Sequence, residues 1–307
     1  MIELFTSDEM LSFCKAMSSK LRIDILKYIS KNETSSLNDI AEYFGISNAA
    51  VTQNIKVLAE ANLVDFKIIP AKRGVKKVCF PKYDKILFSV SKDFDENSMY
   101  QVDVPIGHYT KYEVYPTCGL ATVSSLIGKE DDPRYFDTPE RIDAGILWMR
   151  KGFVEYRIPN YLKENQIPVE IQISLEISSE APGSAENWPS DIYFQFNGIN
   201  LGYWTSPGDY AKTHGLYTPS WWEYNWNQYG LLKLLSINEQ GTFIDAKLIS
   251  HITIKDLNLD YKSNFIFRIG VPDSAENVGG LTIFGRGFGN YSQNIRIRVF
   301  LKDKSEQ

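Results

Sequence analysis

Between residues 167 and 177 the chain alternates without a break: Ile167, Val169, Ile171, Ile173, Leu175 and Ile177 are apolar, and the residues between them are mainly polar. Period two places all six side chains on one face of an extended strand, and no helix can present them together. YEVYPTC (112–118), GFVEYRIP (152–159), IYFQF (192–196), HITI (251–254), NFIFRIGV (264–271), LTIF (281–284) and NIRIRVF (294–300) repeat the pattern. One wet and one dry face per strand favours antiparallel sheets packed face to face over a parallel sheet wrapped by helices. RIDAGILWM (141–149) and KDLNL (255–259) have helical spacing enough for single turns. The expectation for residues 99–307 is therefore one large all-β antiparallel sandwich of jelly-roll type, with a split near residue 165 as the other division.

The chain before residue 99 follows a different period. Ser7 or Asp8 is placed to cap a first helix carrying Met10, Leu11, Phe13, Cys14 and Met17. Ser19 is placed to cap a second, with Leu21, Ile25, Tyr28 and Ile29 at spacings of three and four. After the polar KNETSS, a short helix with Leu37, Ile40, Ala41 and Phe44 stops at Gly45, a residue suited to a left-handed C-cap. Ser47 caps the next helix, whose stripe is Val51, Ile55, Leu58 and Ala61. Its other face shows Asn48, Ala49, Thr52, Gln53 and Lys56. These are small or able to hydrogen-bond, and none is acidic, which a helix entering a major groove requires. LVDFKIIPAKRGVKKVCF then reads as a hairpin bearing Lys67, Lys72, Arg73, Lys76 and Lys77 against Asp65. Such a basic wing suits phosphate contacts.

Charge agrees with that assignment. Residues 1–84 carry 12 Lys and Arg against 10 Asp and Glu, whereas the remainder carries 21 basic against 28 acidic residues. A nucleic-acid contact belongs in the first part. The division expected is a winged-helix domain at 1–84, a linker at 85–98 and the sandwich at 99–307.

KAMSSKLRIDILKYI, LNDIAEYFGISNAAVTQNIKVLAEANLV and the hairpin after them resemble the ArsR-type winged-helix regulators, over roughly residues 10–82. The resemblance implies a homodimer on a pseudo-palindromic double-stranded operator, repressing until an effector binds. The metal-sensing members carry a Cys-x-Cys pair around the third helix; here SLNDIAEYF has neither Cys nor His, so no metal is expected at that place.

Within the sandwich, residues 188–229 hold 13 aromatics in 42 residues, against 13% for the whole chain. Most lie in GYWTSPGDYAKTHGLYTPSWWEYNWNQYG, whose Gly, Pro, Ser and Asn content reads as loop. Aromatic rings cover the C–H faces of sugars, and amides and carboxylates pair with their hydroxyls. Trp204, Trp221, Trp222 and Trp226, with Asp209, Glu223 and Asn225, are thus the expected platform for a small neutral effector, a mono- or oligosaccharide. The sandwich resembles carbohydrate-binding modules in architecture. If the segment around Trp221 and Trp222 is extended, the two cannot face one pocket, which makes Trp222 structural and Trp221 the contact. The alternatives are a self-packed or dimer-forming aromatic cluster and a sugar hydrolase using Asp191, Asp209 or Glu223. GGLTIFGRGFGN (279–290) has nucleotide-loop glycines, but a strand and not a helix follows, so it reads as a turn, with Arg286 and Asn290 as ligand contacts from the same rim.

No cofactor and no catalytic residue is expected, since the three histidines are far apart and no Ser-His-Asp or metal-ligand spacing occurs. Composition, 43% hydrophobic and 23% charged, supports a sizeable core and excludes a disordered or fibrous chain. No apolar run approaches the ~18 residues of a membrane span, MIELFTSDEM is unlike a signal peptide, and three scattered cysteines fit a reducing compartment. The expected location is the cytoplasm.

Overall fold

A computed structural model describes residues 2–4, 7–32, 35–70, 75–82, 86–88 and 98–304. The chain divides into two units, Met1–Phe94 and Asp95–Gln307. No helix among the described residues is long and apolar enough to cross a membrane.

The first unit runs β1 (Ile2–Leu4), α1 (Ser7–Met17), α2 (Lys20–Lys31), α3 (Leu37–Phe44), α4 (Asn48–Glu60), β2 (Val64–Pro70), β3 (Val75–Pro81) and β4 (Ile86–Phe88). Strands β2 and β3 form the antiparallel hairpin, and β1 pairs with β4 in parallel. The stripes read from the sequence meet in one core, where Ile25, Ile29, Ile40, Val51 and Leu58 are fully buried. Helix α3 opens on a capping box: Ser36 Oγ accepts the N–H of Asp39, and the Asp39 carboxylate accepts that of Ser36. It closes on Gly45 at φ 62°. Ser19 holds the N-cap position of α2 without a side-chain capping bond.

The second unit holds β5 (Met99–Val104), β6 (Lys111–Ala121), β7 (Ile146–Ile158), β8 (Gln166–Ser178), β9 (Ser190–Phe196), β10 (Ile199–Ser206), β11 (Leu231–Asn238), β12 (Gly241–Ile244), β13 (Lys247–Ser250), β14 (Phe265–Val271), β15 (Leu281–Phe284) and β16 (Ile295–Asp303). All pair antiparallel. One layer has the order β5-β16-β8-β11-β12-β13, the other β6-β7-β14-β9-β10. The 13-residue strands β7 and β8 outreach their neighbours, and β15 pairs with the start of one and the end of the other, tying the layers together. Within these layers β5-β16-β8-β11 and β7-β14-β9-β10 are the two four-stranded sheets of a jelly roll. The free edges β10 and β13 approach closely, with the Cβ direction of Gly202 only 3.2 Å from the Ile249 carbonyl, so the sheets nearly close into a barrel.

Alternation fills the interior. Ile171, Ile173, Leu175 and Ile177 of β8 face Ile192, Phe194 and Phe196 of β9 and Phe265, Phe267 and Ile269 of β14 across the core. Two segments depart from the sequence reading. In RIDAGILWM a 3-10 turn, Pro139–Asp143, ends before Ile146, and Ile146, Leu147, Trp148 and Met149 begin β7. HITI follows β13 as loop, its Ile252 and Ile254 packing on the core without a ladder.

Candidate functional sites: a reading helix and a tryptophan pocket

Helix α4 is positioned by its apolar stripe, since Val51, Ile55 and Leu58 are buried at 2% exposure or less. This turns Ser47, Asn48, Ala49, Thr52, Gln53 and Lys56 outward, and all six are exposed. Ser47 Oγ accepts the Ala50 N–H at 3.2 Å, and Thr52 Oγ1 donates to the Asn48 carbonyl at 2.8 Å. Lys56 reaches only Glu60, at 3.8 Å in solvent, a pair too exposed to hold the lysine in place. The first three turns of α4 thus offer amide, hydroxyl and ammonium groups with no carboxylate among them.

The hairpin is more structured than its basic composition suggests. Lys76 Nζ donates to Asp39 Oδ2 at 2.6 Å, and this ammonium holds the Asp39 carboxyl below the usual carboxylate range. Lys77 lies 4.0 Å over the Phe66 ring. Lys72 and Arg73, expected as phosphate contacts, lie outside the described residues.

In the sandwich, a cavity of about 120 Å³ opens where β15 joins the two layers. Its aromatic wall is Trp148, Trp222 and Trp226, and its polar wall includes Glu130, Glu180 and Asn227. Trp222 is the pivot, crossing Trp148 at 78° and Trp226 at 75°, with its indole N–H donating to the Asn227 carbonyl at 3.0 Å. Asn227 is fixed in turn, its Nδ2 donating to Ser178 Oγ, the Ser179 carbonyl and Thr282 Oγ1. Glu180 accepts from Thr282 Oγ1 at 2.6 Å, and burial lifts its carboxyl well above the usual range, with Asp209, Asp131 and Glu130 adding repulsion. Burial, then Asp131, also raises Glu130. A carboxyl of raised pKa keeps its proton to higher pH, and while protonated it can both donate to and accept from hydroxyl groups.

The expected platform is only partly assembled. Trp222 and Trp226 share the pocket, whereas Trp221, expected to be the contact, does not line it: half-buried, it packs on Trp222 at 5.6 Å with its indole N–H on the Val123 carbonyl at 2.7 Å. Trp204 is elsewhere: it belongs to β10, not to a loop, and its ring is covered by Lys233 Nζ at 4.3 Å, itself paired with Asp245. Asp209 is buried, accepting the Ala181 N–H behind the pocket wall. Glu223 and Asn225 lie exposed on the turn outside the pocket. Asn290 Oδ1 accepts the Leu216 N–H and so pins the fold, while Arg286, largely exposed, reaches Asp103 at 3.6 Å; neither lines the pocket. Asp191 is held by Thr205 and Asn277 in another part of the sheet, so Asp191, Asp209 and Glu223 do not converge.

Trp148, Glu130, Glu180 and Asn227 are among the pocket residues that sequence reading missed. Trp148 lay in a stretch assigned a helical turn. The signal for Glu180 was its place two residues past the alternating β8, where a strand hands its chain to a loop. The glycine-rich turn 285–290 also finds its role here. Backbone N–H groups of Gly230, Asn290 and Tyr291 all donate to the buried Glu176 carboxylate. Glu176 is raised to about 8 by burial, against the pull of those three donors. Gly289 must lack a side chain, since a Cβ there would stand 2.3 Å from Glu176 Oε1. Among the described residues no three His, Cys, Asp or Glu are placed to hold a metal ion.

Solved structures similar to the chain include the CBM36-1 domain of a multidomain xylanase from the hindgut metagenome of Trinervitermes trinervoides, at 10% identity and a TM-score of 0.29 over 65% of this chain and 96% of that one. Another is a carbohydrate-binding module CBM36 in complex with calcium and xylotriose, at 11% identity and a TM-score of 0.27 over 64% and 97%. A third is the insecticidal delta-endotoxin Cry8Ea1 from Bacillus thuringiensis, at 10% identity and a TM-score of 0.25 over 57% and 22%. No curated protein matches the chain. Residues 17–65, from the end of α1 through α4 to the start of β2, match the model of a helix-turn-helix domain.

Proposed function

We propose that this chain is a cytoplasmic transcription regulator of the ArsR type, a homodimeric repressor that acts by binding and not by catalysis. The observation that carries the reading is the outward face of α4, Ser47 to Lys56, exposed and acid-free inside a segment that matches a helix-turn-helix domain. Such a helix lies in a major groove, where Gln53 or Asn48 pairs with adenine through two hydrogen bonds. Lys77 approaches the phosphates beside it, and Lys72 and Arg73 are the further phosphate contacts of this reading. Two copies then span half-sites one helical turn apart.

The sandwich is the sensing part, and the tryptophan pocket is its effector site. Three indoles, an amide and two carboxyls of raised pKa suit a polyhydroxylated molecule of about monosaccharide size. Its ligand alters operator affinity by as much as it discriminates between the DNA-competent state and the other. Selection of binding sites from random duplex DNA with the full chain, followed by titration of the selected duplex with and without a panel of monosaccharides, tests both halves. A palindromic consensus and a sugar-dependent affinity are expected. Binding without sequence preference would overturn the regulator reading, and indifference to every sugar would overturn the sensor.

A further inference from the structure

The outer face of the layer β6-β7-β14-β9-β10 carries a groove of about 390 Å³ that shares no lining residue with the tryptophan pocket. Strand register builds it. Tyr203 stands opposite Tyr193, Tyr193 opposite Gly270, Gly270 opposite Phe153, and Phe153 opposite Glu113, one straight line across five strands. Their neighbours in sequence, Phe194, Ile269 and Val154, point into the core, so this line faces out. Gly270 is the floor. A Cβ there would lie 2.1 Å from the Gly152 carbonyl, so the position admits no side chain, and a trough remains between Tyr193 and Phe153.

The walls are aromatic and both cations are already ion-paired. Tyr193 and Tyr203 stack at 4.9 Å and 27°, and Tyr203 is 45% exposed, which leaves a ring face open. The Arg268 guanidinium lies 3.9 Å over Phe153 and is paired with Glu155 at 2.6 Å. At one end Lys151 pairs with Asp273 at 2.6 Å. The neutral amides are the open groups. Gln195 makes no side-chain hydrogen bond among the described residues, and Asn200 uses only its oxygen, on the Gly202 N–H. Lys151 and Arg268 are spent in ion pairs and Glu113, which accepts the Tyr115 hydroxyl, adds a negative charge, so the groove offers no net positive field to a phosphate backbone, and a sheet face has no free ladder for an added peptide strand. Ring faces beside free amides suit alternating C–H surfaces and hydroxyls.

We propose that this groove is a second binding site, for a neutral oligosaccharide laid across the strands. Four strand spacings of ~4.8 Å give it a length of about 19 Å, suited to several linked rings and not to one. Calorimetry of the full chain with neutral tetra- to hexasaccharides of glucan, xylan and mannan backbones tests it, beside the Tyr193→Ala, Phe153→Leu and Trp226→Ala variants. At least one series should bind. Tyr193→Ala and Phe153→Leu should each weaken it about tenfold, and Tyr193→Phe, which keeps the ring, should not. Trp226→Ala, in the other pocket, should leave oligosaccharide binding unchanged. Thermal unfolding midpoints within a few degrees of the parent identify variants that fold, and Tyr193→Phe covers the case in which Tyr193→Ala does not. The proposal is overturned if no series binds, or if binding survives Tyr193→Ala and Phe153→Leu and is lost in Trp226→Ala. A failed groove with an intact monosaccharide response leaves the pocket reading standing, and the reverse outcome leaves the groove.

Discussion

Lys76 Nζ stands 2.6 Å from Asp39 Oδ2, and that same carboxylate oxygen accepts the Ser36 N–H that opens α3. One side chain of the hairpin is thereby fastened to the first helix of the reading pair. Composition placed Lys76 among the phosphate contacts; the ion pair ties it to α3, beside the backbone bond from the Cys79 N–H to the Ser35 carbonyl.

Lys76→Ala should therefore lower DNA affinity by misplacing the hairpin, with the salt dependence of binding almost unchanged. Lys77→Ala should reduce the salt slope by about one, because its charge has no carboxylate partner among the described residues. Both partners of the Lys76 pair are more than one-third exposed, so its loss should cost at most ~1 kcal/mol of stability. Asp39 has a lowered pKa, so its contribution is present above the ordinary carboxylate range and is lost as pH falls through the folded value. Dissociation constants measured across a salt series separate the two lysines.

Gln53→Ala should relax base preference at one position of each half-site, by ~1–3 kcal/mol, and leave non-specific affinity nearly intact. Competition between the selected duplex and single-base variants reads this directly. Equal discrimination in parent and variant would remove Gln53 from the reading face.

Trp222 and Trp226 should part company. Trp222 is 4% exposed and touches Trp148, Trp226 and Phe288, so Trp222→Ala should cost ~3–5 kcal/mol by leaving a cavity. Trp226 is only half-buried, and Trp226→Ala should lose the sugar response with a smaller change in stability. Denaturant unfolding beside tryptophan fluorescence on sugar addition distinguishes the two.

Asp209 gives the sandwich a pH dependence of unusual sign. It is fully buried, one oxygen takes the Ala181 N–H, the other has no partner, and burial raises its pKa to about 7. The folded state holds this proton more tightly than the unfolded chain, so stability is complete below the unfolded value near 3.8 and declines as pH rises through about 7. At ~1.36 kcal/mol per pH unit the effect is of order 4 kcal/mol. Asp209→Asn should flatten the profile between pH 4 and about 7, which unfolding midpoints at a series of pH values would show.

The parts legible in the sequence were those set by period. Alternation gave the β-sandwich, and the spacing of Val51, Ile55 and Leu58 gave the buried side of α4 and hence its outward face. Ser47 and Gly45 fell where local backbone chemistry alone decides, so both caps were readable. What composition could not supply was partnership across distant strands. Trp204 looked like the loop tryptophans beside it, yet a Gly202 bulge and the β9 register send it toward Lys233. Trp148 is 74 residues before Trp222, and the pairing of β15 with both β7 and β8 brings the start of β7 beside the loop that carries Trp222. The Tyr193–Gly270–Phe153 line is likewise a product of register, invisible in any single strand.

The turn after β15 is a nest of backbone N–H groups of the kind that elsewhere closes around a phosphate, and Glu176 fills it from inside the same polypeptide. The domain therefore carries a tethered carboxyl group, an anion only above its raised pKa of about 8, held at an effective concentration that an untethered ligand does not reach. Cutting that tether, as in Glu176→Ala, vacates three aligned donors, and a small carboxylate such as formate becomes the natural replacement for the missing side chain. What resembled an unused nucleotide loop is an occupied receptor, closed to outside anions by its own sequence.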